Sequence, residues 1–279
     1  MFKEIFEPKK TLKLFGLSQK FIFLKNLLIE NRFPKVLMLT GLKGIGKFTL
    51  INHLMNFYYD KKNYDLKEFK INEKNIFYQQ FLNNIYPNIY YLNAFDLKAV
   101  KIEDIRSLKN YLNKTPINNN KRFIILDDVE TLNINSLNAL LRLIEEPSDS
   151  NFFILINNKS RKILDTIKSR CLEIKIILND NEINKITSSL IDYYKQNIKI
   201  KNDGIKASPG NYIKYNYFLD DKKINIEDEY IINVNKILNC YKKEKNIFYK
   251  DFLLFFADYY LQINKSHSVN MNFIKTRSF

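Results

Sequence analysis

Apolar runs long enough for β-strands recur through the first two-thirds of the chain. Uninterrupted apolar runs are typical of strands that are buried on both faces of a parallel sheet. Helical patterns separate the runs, and this alternation favours an α/β fold. We therefore predict a parallel five-stranded sheet with helices on both faces, formed within residues 1–178. The predicted strands are Val36–Thr40, Ile89–Asn93, Phe123–Asp128, Phe152–Asn157 and Leu172–Ile177.

The helix predicted over Asn135–Glu146 has the clearest periodicity, and Pro147 ends it because proline lacks the amide hydrogen that the next turn needs. A second helix is predicted over Ile102–Asn113. Residues 61–86 are polar with scattered aromatic side chains, and their pattern predicts no element. The apolar residues of the first helix fall at positions i, i+3, i+4 and i+7, and they are Leu137, Leu140, Leu141 and Ile144.

The pattern changes after Leu178, where helical periodicity continues and strand-like runs stop. We expect a small helical domain over residues 179–222 and a second one over residues 223–279, with a helix break at Lys206–Gly210. The aromatic run Phe252–Phe256 suits either a core or an oligomer surface, and we favour the core. Two of the predicted helices are Glu182–Tyr194 and Glu229–Tyr241.

A glycine-rich loop follows the first predicted strand. Three of the six glycines in the chain lie in the seven-residue segment that ends at Lys47, with the spacing G-x-x-x-x-G-K that forms a phosphate-binding loop. Amide groups of such a loop, together with the start of the next helix, bind phosphate oxygens. A tight turn that binds nothing is the alternative. The predicted nucleotide-binding residues of this segment are Gly41, Gly44, Ile45, Gly46, Lys47, Phe48 and Thr49.

The loop departs from the motif at one position. The motif has Ser or Thr directly after the lysine, where the hydroxyl binds Mg²⁺, whereas this chain has Phe48 and places a hydroxyl one residue later, at Thr49. The loop is therefore predicted to bind phosphates without the usual metal ligand.

Two carboxylates end the third predicted strand. In phosphate-loop proteins, an Asp at the end of a strand opposite the loop holds the Mg²⁺ shell, and Asp127 and Asp128 occupy such positions. Solvated acidic residues at a strand end are the alternative when this stretch is taken alone. The loop upstream favours the nucleotide site.

Composition limits the other classes of function. Cys171 and Cys240 are the only cysteines and His53 and His267 the only histidines, which argues against a disulfide framework, a four-cysteine zinc site and histidine-based catalysis. The formal net charge of +15 suits a nucleic-acid partner, although a lysine-rich, AT-biased composition gives the same charge. No apolar run reaches the length of a membrane span and no secretion signal is present, so we expect a cytoplasmic protein with no membrane partner.

The chain resembles the δ′ subunits of the bacterial DNA polymerase III clamp loader, in the AAA+ superfamily. The resemblance covers roughly residues 8–178, and a leucine-rich helix ending in Glu-Glu-Pro, followed by Ser-Arg-Cys, is its most specific part. The matching segments are Leu14–Gly16, Asn31–Pro34, Gly41–Thr49, Ile105–Leu108, Thr115–Pro116, Phe123–Glu130, Leu137–Pro147 and Ser169–Cys171.

This resemblance implies an AAA+ P-loop domain, followed by a small helical lid and a helical C-terminal collar that assembles a five-subunit ring. It implies that Arg170 is a catalytic arginine finger, which acts in trans at the ATP site of an adjacent motor subunit. The implied partners are the motor (γ/τ) and δ subunits, a ring-shaped sliding clamp, and primer–template DNA through the assembled complex.

Departures from the family pattern lead to two hypotheses. Hydrolysing relatives have Glu at the position of Asp128 and a lid arginine near the position of Gly210, and the zinc-binding cysteines of many members are missing from residues 58–88. The first hypothesis is a clamp-loader subunit that binds ATP or ADP without hydrolysing it. Under this hypothesis the subunit holds no zinc, and the residues give little reason to expect a bound Mg²⁺. The second is a self-sufficient AAA+ ATPase, in which Thr49 shifts into the metal position and Asp128 serves as the base.

Overall fold

The computed structural model describes residues 6–93, 102–200, 207–246 and 248–275, without the side chains of residues 102–106, 119 and 263–275. The chain divides into two compact units, residues 1–186 and 187–279. This division does not test the predicted domain boundaries after residues 178 and 222, which stay predictions.

Seven strands and ten α-helices form within the described residues. The strands are β1 (Val36–Thr40), β2 (Tyr64–Asp65), β3 (Lys70–Ile71), β4 (Ile89–Asn93), β5 (Arg122–Asp127), β6 (Asn151–Asn157) and β7 (Leu172–Lys175). The helices are α1 (Ser18–Ile29), α2 (Lys47–Tyr59), α3 (Ile76–Leu82), α4 (Ile102–Leu112), α5 (Ile134–Glu145), α6 (Asp165–Lys168), α7 (Asp180–Tyr194), α8 (Pro209–Asp221), α9 (Tyr230–Glu244) and α10 (Phe248–Lys275).

The predicted parallel sheet is confirmed. Its strand order is β4-β5-β6-β1-β7, and every neighbouring pair is parallel. The register places Thr40 beside both Asn157 and Lys175, and it places Asn93 beside Asp127. The carboxyl ends of these strands therefore meet at one edge of the sheet.

Helices cover both faces of the sheet. Successive strand residues point to opposite faces, and in these strands the residues on both faces are apolar and need to be buried. Leu37 and Ile125 join a buried cluster with side chains of α1, α2 and α3. Met38 and Ile124 join a second buried cluster with side chains of α4, α5 and α6. Uninterrupted apolar strands were the signal for this two-sided burial.

Strand bounds differ slightly from the prediction. β1 and β4 match it, whereas β5 ends at Asp127, one residue early, and β7 ends at Lys175, two residues early. Asp128 has a φ of 54°, in the left-handed region, so the extended backbone cannot continue through it. The two predicted helices of the first unit form as α4 and α5, with bounds within one residue of the prediction.

Residues 61–86, which had no predicted element, form the antiparallel pair β2–β3 and helix α3. The aromatic side chains hold this segment, since Tyr64, Phe77 and Phe81 are buried in the same cluster as α1 and α2. Asn75 caps α3 by accepting a hydrogen bond from the Phe77 amide. Elements of two to seven residues are too short to show periodicity, which is why the pattern predicted none.

The prediction of a helix break at Lys206–Gly210 is wrong for its last two residues, Pro209 and Gly210. α8 begins at Pro209, with Ser208 as its N-cap, so Gly210 lies inside the first helical turn. Proline suits the first helical position because the amide it lacks has no partner there. Lys206 lies outside the described residues.

An aromatic core holds the second unit together. Phe252 is fully buried, and its ring centroid lies 4.9 Å from that of Phe218 and 5.1 Å from that of Tyr215. Phe256 and Tyr249 are also buried. The preference for core packing of this aromatic run is therefore confirmed. In the part of the chain that the structure describes, each helix is too short or too polar to cross a membrane.

A buried arginine at the start of β5 ties the sheet to α4. Arg122 is 2% exposed and donates hydrogen bonds to the carbonyl oxygens of Tyr111, Leu112 and Lys114, at 3.1, 3.2 and 2.7 Å. These carbonyls lie at the carboxyl end of α4, where helical carbonyls have no partner inside the helix and a positive charge is favourable.

We expect Arg122→Met to lower the free energy of unfolding by about 2–4 kcal/mol, because it leaves the three carbonyls without their charged donor. Urea-induced unfolding followed by circular dichroism would measure the change. Arg142→Met removes an exposed arginine of α5 and should change stability by no more than about 0.5 kcal/mol. Equal effects of the two substitutions would contradict the capping role.

Candidate functional site

The glycine-rich loop connects β1 to α2 at the carboxyl edge of the sheet. Gly44 and Gly46 have φ angles of 82° and 99°, a region that glycine adopts without strain, and Gly46 is the residue before the first turn of α2. Ile45 between them is buried. Gly41 is needed for space, since a Cβ there would lie 2.6 Å from the Ile176 carbonyl oxygen. The loop thus has the strand–loop–helix context that a phosphate-binding loop requires.

Lys47 is the first residue of α2, and its side chain folds back onto the loop. Its Nζ donates hydrogen bonds of 2.8 Å to the carbonyl oxygens of Gly41 and Leu42, and the residue is 3% exposed. Burial lowers the pKa of Lys47 to about 8, against the opposing effect of Asp127 and the other carboxylates nearby. The ammonium group therefore already lies inside the loop that would surround a phosphate.

Asp127 and Asp128 lie at the carboxyl end of β5, across from the loop. Asn158, which follows β6, joins them: its Nδ2 donates to Asp128 Oδ1 at 2.7 Å and to Asp127 Oδ1 at 3.2 Å. Burial and the neighbouring Asp128 carboxylate raise the pKa of Asp127 to about 7. Burial also raises the pKa of Asp128.

Glu130 is a site residue that the sequence analysis did not single out. It is 4% exposed, and its Oε1 accepts hydrogen bonds from Asn158 N (3.0 Å), Ser160 N (3.2 Å) and Ser160 Oγ (2.8 Å). Glu130 thereby fixes the loop that carries Asn158. A polar residue directly after a parallel strand was the available signal for Asn158, whereas Glu130 lies three residues after the end of β5 and had no such signal.

Phe48 turns its side chain into the core. It is 6% exposed, and its ring centroid lies 4.9 Å from that of Tyr91 on β4, in an edge-to-face arrangement. Thr49 is half-buried on the next position of the helix, about 100° further round the axis. Thr49 would reach the position of Phe48 only if α2 shifted by one residue, which would remove Phe48 from the core.

The donor set does not fit a phosphate-bound Mg²⁺ in the usual way. Phe48 supplies no oxygen, so the position that normally offers a hydroxyl is apolar. Among the described residues, no group of three or more His, Cys, Asp and Glu side chains is arranged to hold a metal ion. The loop amides and Lys47, by contrast, suit the β- and γ-phosphates of a nucleotide.

Arg170 lies away from these groups. It follows α6 and precedes β7, whereas the loop follows the carboxyl end of β1. Leu37 pairs with Leu172 and Thr40 with Lys175, so Arg170 lies at the opposite edge of the sheet from Gly41. The three residue steps from Leu37 to Thr40 separate the edges by about 10 Å. The structure therefore places the glycine-rich loop, Asp127 and Asp128 at one edge of the sheet, turns the Phe48 side chain into the core, and places Arg170 apart from them.

Asp127→Asn should stabilise the ligand-free protein at pH 8 and leave its stability unchanged near pH 4. Folded Asp127 keeps its proton up to about pH 7, whereas an unfolded aspartate loses it near pH 4, so the wild-type stability falls as pH rises between these values. The expected gain at pH 8 is on the order of 2 kcal/mol, since each pKa unit corresponds to about 1.4 kcal/mol and partial exposure reduces the effect.

Urea-induced unfolding at pH 4, 6 and 8 would measure this difference. Asp192→Asn is a matched control at an exposed position of α7 and should change stability little at any pH. If the free energies of unfolding of the wild type and Asp127→Asn differed by the same amount at every pH, burial of Asp127 would not favour its neutral form.

Comparison with known proteins identifies a family and several relatives. The family model described as "DNA polymerase III, delta subunit" matches residues 16–179, more than half of the chain. The DNA polymerase III subunit delta′ of Pseudomonas aeruginosa is 33% identical over 76 residues, which are 27% of this chain and 23% of that protein. The DNA polymerase III subunit gamma of Buchnera aphidicola (subsp. Schizaphis graminum) is 28% identical over 163 residues, 55% of this chain and 44% of that protein.

The chain thus spans about a quarter of the first relative's length and less than half of the second's. A putative replication factor C small subunit from Acanthamoeba polyphaga mimivirus is 27% identical over 265 residues, 88% of this chain and 70% of that protein. A solved gamma subunit-related protein from Thermotoga maritima has a TM-score of 0.45 and 14% identity, covering 84% of this chain and 82% of its own. By the match of the family model, the chain belongs to the DNA polymerase III delta-subunit family of AAA+ clamp-loader proteins.

Proposed function

We propose that the chain is a δ′-type clamp-loader subunit, which binds ATP or ADP without hydrolysing it and contributes Arg170 to the nucleotide site of a neighbouring motor subunit. The observation that carries this proposal is the burial of Phe48 against Tyr91. A phosphate-binding loop with an apolar side chain at the metal position can hold a nucleotide, but it lacks one of the groups that orient Mg²⁺ for phosphoryl transfer.

The chain's own loop would bind phosphate through backbone amides between Gly41 and Lys47 and through the Lys47 ammonium. The Lys47 ammonium lies in this loop, where Nζ donates to the carbonyl oxygens of Gly41 and Leu42. Asp128 occupies the position where hydrolysing relatives have Glu, and its Oδ1 accepts a hydrogen bond from Asn158 Nδ2. A short carboxylate held in this way is poorly placed to activate water, which supports binding without turnover.

Arg170 is proposed to act in trans because it lies on the wrong edge of the sheet to act in cis. The separation of about 10 Å between the edges, set by the β1–β7 register, keeps its guanidinium from phosphates bound in the chain's own loop. A planar guanidinium pairs with phosphate oxygens through two parallel hydrogen bonds, so it can stabilise charge in a transition state supplied by another subunit.

The proposed partners follow from this role. They are the motor (γ/τ) and δ subunits of a clamp loader, a sliding clamp, and primer–template DNA reached through the assembled complex. The net charge of +15 supports an anionic partner, since lysine and arginine side chains bind DNA phosphates irrespective of sequence.

Phe48→Thr should give the loop an Mg²⁺ dependence that the wild type lacks. We expect its affinity for a fluorescent ADP analogue to rise roughly fivefold or more on adding Mg²⁺, because the new hydroxyl can bind the ion. Phe48→Val is the matched control, since valine has the shape of threonine and leaves the same cavity in the core. If the affinity of the wild type for the ADP analogue already rose on adding Mg²⁺ as much as that of Phe48→Thr, the proposal that Phe48 removes the metal ligand would be wrong.

Steady-state ATP hydrolysis tests the proposed function directly. The purified chain should not hydrolyse ATP in the presence of Mg²⁺. Hydrolysis should appear only when the chain is mixed with motor subunits, clamp and primed DNA. Arg170→Ala should lower the activity of the mixture roughly tenfold or more, whereas Lys47→Ala should have a far smaller effect. Arg32→Ala, at another exposed arginine of the first unit, is the control.

Two results would contradict the proposal. Turnover by the isolated chain that Lys47→Ala abolishes would establish a self-sufficient ATPase. Full activity of the mixture with Arg170→Ala, in a complex of verified stoichiometry, would exclude the role in trans.

A further inference from the structure

Arg170 does not project freely from the surface. Its Nη2 forms an ion pair of 2.9 Å with Glu145 Oε1, and its Nη1 donates a hydrogen bond of 2.9 Å to the Thr166 carbonyl oxygen. A longer contact of 3.4 Å joins Nη1 to Ser169 Oγ. The side chains of Arg170 and Glu145 are 37% and 46% exposed, so the pair lies at the surface.

The pair leaves part of the guanidinium available. Arginine has five N–H donors, and the contacts above use donors on Nη1 and one on Nη2. Within the residues that the structure describes, Nε–H and the second N–H of Nη2 have no partner. Arg170 can therefore keep its contacts with Glu145 and Thr166 while it presents other donors to a further ligand.

We infer that Glu145 is a positioning residue for Arg170, which holds the guanidinium in the orientation needed at a partner's phosphate. This inference rests on the proposed function and identifies a second residue that the arginine finger needs. Glu145 acts through Arg170 and has no contact of its own with the nucleotide in this role.

Glu145 suits such a role because of where it is anchored. It is the last residue of α5, one residue after the buried Ile144, and Leu140 of the same helix is fully buried. Its backbone is thus fixed by the core of the first unit, although its carboxylate is at the surface. Thr166 belongs to α6, whose Ile167 is buried in the same cluster.

Ordering an arginine in advance is useful because its side chain is long and loses rotamer freedom on binding. An exposed ion pair is also weak, so Glu145 can restrict Arg170 without competing strongly with a phosphate group. Removal of the Glu145 charge should therefore loosen the arginine and reduce its effect at the partner's site.

Glu146 provides a matched control. It is adjacent in sequence, carries the same charge and is exposed, but its backbone has left the helical conformation, with a φ of −132° and a ψ of 70°. Among the described residues, its carboxylate forms no ion pair or hydrogen bond. Glu146→Gln thus makes the same chemical change next to the pair without breaking it.

The first measurement uses the isolated chain and does not depend on the proposed function. NMR relaxation of the Arg170 Nε–H group, assigned by its loss in Arg170→Ala, reports the order of the side chain. Glu145→Gln should lower this order, and Glu146→Gln should leave it unchanged. An Arg170 that is equally mobile in the wild type and in Glu145→Gln would overturn the inference, whatever the ATPase assay shows.

The second measurement is a double-mutant cycle in the assembled complex, with clamp-stimulated ATPase as the readout. Glu145→Gln should lower the maximal rate roughly two- to fivefold, in the range expected for a surface ion pair, and leave the KM for ATP unchanged. In the Arg170→Ala background the same substitution should have no further effect, because Glu145 acts through Arg170.

Three outcomes of the cycle would overturn the inference: an equal effect of Glu145→Gln with and without Arg170, a higher rate in Glu145→Gln, or equal effects of Glu145→Gln and Glu146→Gln. The proposed function fails separately, if Arg170→Ala alone leaves the complex fully active. The NMR result on the isolated chain then still decides whether Glu145 orders the arginine.

Discussion

Parallel pairing of neighbouring strands along β5-β6-β1-β7 determines where the candidate groups of the first unit lie. Parallel strands point the same way, so the segments after them share one edge and the segments before them share the other. The glycine-rich loop, Asp127 and Asn158 follow strands, and they lie at the same edge. Arg170 precedes a strand and lies apart. One hydrogen-bonding pattern thus separates the candidate nucleotide site from the Arg170 side chain.

Electrostatics within the site depends on how little water reaches it. Lys47 is almost fully buried among three acidic residues, and burial moves the pKa of Lys47 down and the pKa of Asp127 up, so both groups shift toward their neutral forms. A bound polyphosphate would favour protonation of both. The net charge of these side chains is therefore close to a balance that an anionic ligand would change.

Much of the first unit could be predicted from sequence, because its signals are local. The apolar strands, the stripe of α5 and the spacing of Gly41 to Lys47 each depend on neighbouring residues only. The pair β2–β3 and helix α3 could not be predicted, since aromatic contacts with distant helices hold them. Glu130 and the pairing of Arg170 with Glu145 were missed for the same reason: each depends on two segments that only the folded chain brings together.

Gly41 gives the loop a mechanical connection to the strand beside it. The Ile176 amide donates to the Thr40 carbonyl oxygen at 2.8 Å, and the Ile176 carbonyl lies where a side chain at position 41 would be. Backbone thus packs directly on backbone, with no flexible side chain between them to absorb a displacement. A ligand that widens the loop would therefore push directly on the backbone of Ile176, four residues before α7.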